Sequence, residues 1–380
     1  MKILIALTYY RPHISGLTIY VERLAGALAR RGHQVTVLTS RFDKSLAPRE
    51  MVDGVTVIRH PVAFKLSKGA IMPGFLSHAL ALMTQHDVVS VHLPQAEGGP
   101  LGLFSQIARK PVVLTYHCDL QLPPGVFNRL VDRMVFTSNV MAGMFASRIV
   151  AYTKDYAVNS PLLSRFLNKI NVIYPPVEMA RPDPQAVALL KKKYHAEGSC
   201  VVGFAARFAE EKGIDYLIGA IPLVAEKCPS VKFLLAGETL KVIGENVWER
   251  LQPQIEANRQ YIEILGTVPN KEMGNFFGAC DVLTVPSINS TESFGLVQVE
   301  AMLSGCPVVA SNLPGVREPV RVTGMGEIVE PRDARVLADA LLKVVSNKAQ
   351  YQRPRQEIES IFAIETTVAA YEKLFGELVQ

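Results

Sequence analysis

Short apolar runs alternate with amphipathic helical stretches along this chain, and the alternation starts afresh after a Pro175-Pro176 pair. Strand, helix and strand at this spacing build right-handed βαβ units and therefore parallel sheets. In the first half the predicted strands are 2–8, 35–39, 55–59, 88–92 and 112–116. Val21, Leu24, Ala25 and Leu28 recur at helical spacing over 17–31, and Gly32 is placed to end that helix. The second half repeats the rhythm with strands at 201–204, 231–236, 262–265, 281–285 and 307–310. Helices are predicted over 213–227, 248–258, from 271, and over 295–304. A Pro-Pro pair continues neither a helix nor a central strand, so 171–178 reads as the connector between two domains. The expected fold is α/β, with two Rossmann-like domains whose parallel sheets face each other across a central cleft, where ligands bind at strand carboxyl ends.

Size agrees, since 380 residues exceed what one core usually holds. With 49% hydrophobic residues each half can bury a core, and no apolar run reaches the roughly 20 residues of a membrane span. The apolar start meets Arg11-Pro12 without a small-residue cleavage site and reads as a buried strand rather than a signal peptide. Five scattered cysteines, none in Cys-x-x-Cys spacing, argue against disulfides and structural zinc and for a cytoplasmic setting. Residues 1–175 carry 19 Lys/Arg against 9 Asp/Glu, whereas 176–380 carry 21 against 26. Such a split suggests a polyanion or anionic membrane as partner of the first half; a solvated basic surface with no specific role is the plainer alternative.

The segment Pro286-Ser-Ile-Asn-Ser-Thr-Glu-Ser-Phe-Gly-Leu-Val-Gln-Val-Glu300 delivers a strand into a loop that opens a helix near Gly295. A helix start leaves backbone N–H groups unpaired and carries partial positive charge, which suits a phosphate. Glu292 sits in the loop and Glu300 in the helix. Taken alone, Glu292 reads as a helix cap and Glu300 as a solvated side chain; the eight-residue pair in this setting favours function. In Val201-Val-Gly-Phe-Ala-Ala-Arg-Phe-Ala-Glu-Glu-Lys-Gly213 a strand runs into Arg207 and Lys212, two cations suited to clamp a diphosphate. The plainer alternative pairs them with Glu210 and Glu211.

These segments resemble the retaining glycosyltransferases of family 4, whose fold is GT-B, and the likeness covers nearly the whole chain. The E-x7-E motif corresponds to Glu292 and Glu300, and the strand followed by Arg and Lys-Gly to Arg207, Lys212 and Gly213. Tyr10-Arg-Pro-His-Ile-Ser-Gly16 with Arg31-Gly-His-Gln-Val35, Thr115-Tyr-His-Cys-Asp119 and Gly266-Thr-Val-Pro-Asn270 resemble three further family motifs. The chain departs at Ser15-Gly16, where the family often has Gly-Gly, and at Glu238-Thr239, where a second glycine is common.

The resemblance implies an N-terminal acceptor-side domain over 1–174, with a C-terminal helix over 363–380 packing back onto it, and a nucleotide-sugar domain over 178–362. It implies that Glu292 contacts donor-sugar hydroxyls, that Glu300 holds the ribose, and that Arg207 and Lys212 neutralise the diphosphate. Phe294, Gly295 and Leu296 would lie beside sugar and phosphate, Val268 would meet the base, Gly16 would line the phosphate pocket, and His117 would approach the sugar. The implied activity is retaining hexosyl transfer from a nucleotide sugar, a UDP-sugar ahead of a GDP-sugar, to a hydroxyl of a glycan or lipid-linked glycan.

No Asp-x-Asp occurs, so neither a metal nor any other cofactor is expected; Arg207, Lys212 and the helix start would supply the counter-charge. Front-face attack follows from the resemblance, and Glu292 as covalent nucleophile is the weaker mechanism because no acid partner is evident. Other readings are a GT-B enzyme of another class such as an epimerase, a nicotinamide dehydrogenase, and a non-catalytic polyanion- or membrane-binding protein. The dehydrogenase lacks Gly-x-Gly-x-x-Gly after the first strand. No nucleic-acid partner is expected. Over 122–148, Arg129, Arg133 and Arg148 accompany Leu130, Met134, Met141 and Phe145, which can share one helical face. Core packing is the plainer reading of that face; peripheral docking on an anionic inner-membrane surface is the alternative.

Overall fold

The β-branched runs of the first half assemble into one sheet of eight strands, and those of the second half into a sheet of six. The computed structural model describes residues 1–66, 69–122, 125–239 and 246–379; Pro123 and Pro124, near the head of the basic apolar segment, lie outside them. The chain divides into two compact units, Met1–Pro176 with Ala363–Gln380, and Val177–Phe362.

In the first unit the strands are β1 (Lys2–Ala6), β2 (Gln34–Arg41), β3 (Arg49–Val52) and β4 (Val55–Pro61). A small hairpin of β5 (Phe64–Leu66) and β6 (Gly69–Ile71) follows, then β7 (Val88–Leu93), β8 (Val112–Tyr116), β9 (Arg148–Ala151) and β10 (Ile170–Val172). The large sheet runs β10-β9-β8-β7-β1-β2-β4-β3. Its pairings are parallel except β3 with β4, which are antiparallel, so the expectation of a purely parallel sheet is corrected at this edge. The cause is local: Asp53 and Gly54, both at positive φ, make a two-residue turn whose twist suits a hairpin. The central strands β7 and β8 are buried along their whole length, as strands covered on both faces must be.

The helices of this unit are α1 (Gly16–Arg30), α2 (Phe75–Met83), α3 (Gly98–Ile107), α4 (Val126–Phe145) and α5 (Lys154–Asn159). At the start of α1, Ser15 takes the place of the family's glycine and forms a capping box. Its hydroxyl accepts from Thr18 N–H at 3.2 Å while the Thr18 hydroxyl accepts from Ser15 N–H at 2.7 Å. The reading of 122–148 is corrected. The helix α4 occupies 126–145 of it, and the core-facing reading fails for Leu130 and Met134, which are 67% and 53% exposed, while Met141 and Phe145 are half-buried.

The second unit holds β11 (Val201–Ala205), β12 (Lys232–Ala236), β13 (Ile262–Gly266), β14 (Val282–Val285), β15 (Val308–Ser311) and β16 (Gly326–Val329), all parallel. Its helices are α6 (Pro184–Lys193), α7 (Ile214–Lys227), α8 (Val247–Ala257), α9 (Met273–Ala279) and α10 (Leu296–Leu303). They continue with α11 (Glu318–Thr323), α12 (Ala334–Ser346), α13 (Lys348–Tyr351) and α14 (Arg355–Phe362). The order β13-β12-β11-β14-β15-β16 reverses direction between β11 and β14. At such a switch point the loops leaving adjacent strands diverge, and open α/β sheets bind ligands there. The last helix, α15 (Ile364–Val379), belongs to the first unit, where its Tyr371 hydroxyl lies 2.7 Å from that of Tyr20 and 2.8 Å from Thr115 Oγ1.

Candidate active site

Because β11 and β14 are neighbours, the loops they deliver run side by side, although some 80 residues of sequence separate them. Gly213 permits the close approach. It sits at φ 66°, and a Cβ there would lie 1.9 Å from the Pro286 carbonyl oxygen. The Ile288 N–H donates to the Glu211 carbonyl at 3.0 Å, stitching the two loops together. Gly213 therefore precedes α7 as its cap instead of beginning the helix, and Gly295 stands in the same relation to α10.

Lys212 and Glu292 meet across this junction, with Lys212 Nζ 2.5 Å from Glu292 Oε2. Both side chains are about one-fifth exposed, which strengthens the pairing relative to a surface ion pair. Burial works against the Lys212 ammonium, yet the Glu292 carboxylate outweighs it, and the lysine titrates above its ordinary value. The other carboxylate oxygen, Oε1, accepts from Gly295 N–H at 3.1 Å. Glu292 thus holds the backbone of the cap residue of α10 and Lys212 at the same time. Arg207 lies at the end of β11, exposed, with Nη2 3.4 Å from Glu211 Oε1; the plainer pairing holds for it and not for Lys212.

Phe294 is buried against Phe362, at 5.9 Å between ring centres. Leu296 and Glu300 are half-buried, on the first and second turns of α10. Val268 is half-buried in the loop that follows β13. The second unit thus brings Lys212, Glu292 and Gly295 into direct contact, with Arg207 and Glu300 on the same two loop–helix connections.

Gly16 and His117 belong to the first unit. Gly16 is the exposed first residue of α1, with open space where a Cβ would stand. His117 follows β8 and is buried; its Nε2 lies 2.9 Å from His92 Nδ1, and its Nδ1 makes a short contact with the Tyr152 hydroxyl. His92 Nε2 in turn meets Ser90 Oγ at 3.3 Å. Burial holds His117 well below the ordinary imidazole value, helped by the adjacent His92, and pushes His92 itself down to about 3. Both rings are neutral at physiological pH, and both nitrogens of His117 are engaged by side chains of its own unit.

Sequence reasoning missed His92, Tyr152 and Gln298. Gln298 alone carried a visible signal, an uncharged polar residue between Val297 and Val299 in a largely apolar helix. Among the described residues no three His, Cys, Asp or Glu side chains converge as metal ligands do, and no helix is long and apolar enough to cross a membrane. All five cysteines are free thiols.

A model of the glycosyltransferase family 4 domain matches residues 14–181, and a model of the glycosyl transferases group 1 domain matches 188–360, together nearly the whole chain. The phosphatidyl-myo-inositol mannosyltransferase of Mycobacterium leprae is 27% identical over 89% of this chain and 86% of its own length. The D-inositol 3-phosphate glycosyltransferase of Xylanimonas cellulosilytica is 27% identical over 89% and 85%. Among solved structures, Anabaena HepE in complex with UDP and glucose superimposes with a TM-score of 0.80 over all of both chains at 21% identity.

Proposed function

Because this chain belongs to the family 4, group 1 glycosyltransferases and has their GT-B architecture of two Rossmann-like domains, we propose that it transfers a hexose with retention from a nucleotide sugar. The donor is a UDP-sugar ahead of a GDP-sugar, and the acceptor a hydroxyl on a glycan or lipid-linked glycan. The Lys212–Glu292 pair at the switch point of the second unit supports this reading best. It sets a cation and a carboxylate against the start of a helix, where a leaving diphosphate needs positive charge and a sugar needs an acceptor for its hydroxyls.

In this reading Lys212 and Arg207 offset the developing charge on the diphosphate, so no metal is required. Glu292 orients the sugar, with the main chain of Phe294, Gly295 and Leu296 beside it. Glu300 takes the ribose hydroxyls and Val268 the base. The second unit is the nucleotide-sugar domain. The first, with Gly16 and His117, serves the acceptor side; the His92 and Tyr152 contacts hold the His117 ring in one orientation. Retention follows front-face attack, in which the acceptor hydroxyl gives its proton to the departing phosphate as the new bond forms.

The names of the mycobacterial and Xylanimonas relatives make an inositol phosphate or inositol phospholipid the first acceptor to try. A lipid-borne acceptor also suits the exposed start of α4, where Val126, Phe127, Leu130 and Met134 are 80%, 52%, 67% and 53% exposed beside exposed Arg129 and Arg133. An anionic bilayer matches both the apolar face and the charge. The deciding experiment incubates the protein with UDP-glucose or GDP-mannose and phosphatidylinositol, and follows nucleotide release and the product's anomeric configuration by NMR. Release of neither nucleotide would refute the donor reading, and an inverted product would refute retention.

A further inference from the structure

Gln298 is completely buried in the first turn of α10. Its Nε2 lies 2.8 Å from the Phe294 carbonyl and 2.9 Å from the Val316 carbonyl. Two carbonyl acceptors can be satisfied only by the amide nitrogen, which uses both of its protons, so the orientation of the side chain is determined. The two carbonyls belong to different loops: Phe294 to the one between β14 and α10, Val316 to the one between β15 and α11. Gln298 therefore ties together the loops leaving two adjacent strands.

The consequence lies in the Phe294–Gly295 peptide. In a trans peptide the carbonyl and the N–H point in opposite directions. With the Phe294 carbonyl drawn inward to Gln298, the Gly295 N–H must point the other way, and there it donates to Glu292 Oε1 at 3.1 Å. Gly295 sits at φ 74°. Glycine accepts positive and negative φ almost equally, so little in the local backbone opposes rotation of this peptide. Rotated, it would aim a carbonyl at the Glu292 carboxylate in place of a donor. A Cβ on residue 295 would come 2.7 Å from Gln298 Nε2, so a side chain there would have to displace the Gln298 amide.

We propose that Gln298 is a positioning residue, which locks the Phe294–Gly295 peptide so that the Gly295 N–H holds the Glu292 carboxylate opposite Lys212. The role rests on the donor-site reading, since it acts through Glu292, but the lock itself is a property of the fold. Preorganised backbone donors of this kind give their full electrostatic effect only when their orientation costs nothing at the moment of reaction.

The test uses Gln298→Met, which keeps the length of the side chain and removes both donors. Amide hydrogen exchange at Gly295, read by NMR, should lose about tenfold or more of its protection while the strands of the second unit keep theirs. Turnover of UDP-glucose or GDP-mannose should fall about tenfold, with UDP and GDP affinity within about twofold of the parent. In a Glu292→Gln background the same substitution should cost less than about twofold more, because the two changes disable one device. A general packing defect would instead multiply with Glu292→Gln and weaken nucleotide binding. Unchanged protection at Gly295, or multiplicative losses, would overturn the proposal. If the parent turns over neither donor, the donor reading fails, and the Gly295 exchange still decides the lock. Should the Met variant not fold, Gln298→Glu replaces it. Protonated, that side chain donates one O–H to a carbonyl; ionised, it faces two acceptors. Gly295 protection should therefore fall as pH rises, and a pH-independent, parent-like value would also overturn the lock.

Discussion

Lys212 and Glu292 form a close, half-buried ion pair at 2.5 Å, joining the loop after β11 to the loop after β14. Each is the other's charge partner, so removing one leaves its mate partly desolvated and uncompensated. Glu292→Gln keeps the shape of the side chain and removes its charge. It should lose turnover by about a hundredfold or more while UDP or GDP affinity changes little. Glu300→Ala should do the reverse and weaken nucleotide binding. Steady-state kinetics with calorimetric titration checks both, and equal mild effects would mean the E-x7-E pair has been assigned wrongly.

If the proposed roles of Arg207 and Lys212 hold, nucleoside diphosphate should bind without added metal, because these two cations would supply the counter-charge. At a ligand concentration about 100 times the dissociation constant, stabilisation should be about 2.7 kcal/mol. Thermal shift with UDP and GDP, with and without EDTA, measures it. Binding abolished by EDTA would refute the metal-free reading.

Stability should fall on acidification through the His92–His117 pair. Both are held below the ordinary imidazole value, His92 at about 3. In the unfolded chain they take up protons near pH 6.5, so below that pH the unfolded state binds more protons than the folded one. Their contribution is complete above about pH 6.5 and declines as pH falls, by roughly 1 kcal/mol per pH unit for each ring. Urea unfolding between pH 7 and pH 5 should show this slope, and His92→Asn should reduce it by about half. An unchanged slope would place the acid sensitivity elsewhere.

Tyr371→Phe should destabilise the first unit by about 1–3 kcal/mol, because it leaves the buried Tyr20 hydroxyl and Thr115 Oγ1 short of a partner. The readout is the urea midpoint of this variant beside Tyr371→Leu, which adds a cavity. If the Phe variant matched the parent, the hydroxyl contacts would carry no stability.

Vesicle co-sedimentation tests the start of α4. Binding should require anionic lipid, weaken with salt, and drop on Phe127→Glu with Leu130→Glu. Each basic residue near the surface is worth roughly 1 kcal/mol at low salt. Absence of lipid-dependent binding at low salt would favour an acceptor free in solution.

The alternation of apolar runs with helical periods was enough to read two Rossmann-like domains, because a strand buried on both faces and a helix buried on one have different periods. The strand–loop–helix connection around Glu292 was legible as well, since a strand running through a loop into an apolar helix must bring unpaired N–H groups to one edge. The edge strand β3 was overlooked although Asp53-Gly54 announced its turn. Periodicity also misled over α4. It shows that Leu130 and Met134 share a face with Met141 and Phe145, but not which neighbour covers that face, and the first two stand exposed while the others are half-buried. The partner of Lys212 was likewise beyond local reasoning, which offered Glu210 and Glu211 from adjacent sequence. Glu292 became the partner because the sheet places β11 beside β14 and Gly213 lets their loops touch. Local sequence set the elements and the residue types at their ends. Which side chains meet depended on strand order and on the direction of individual peptides, and those are settled only when distant segments pack.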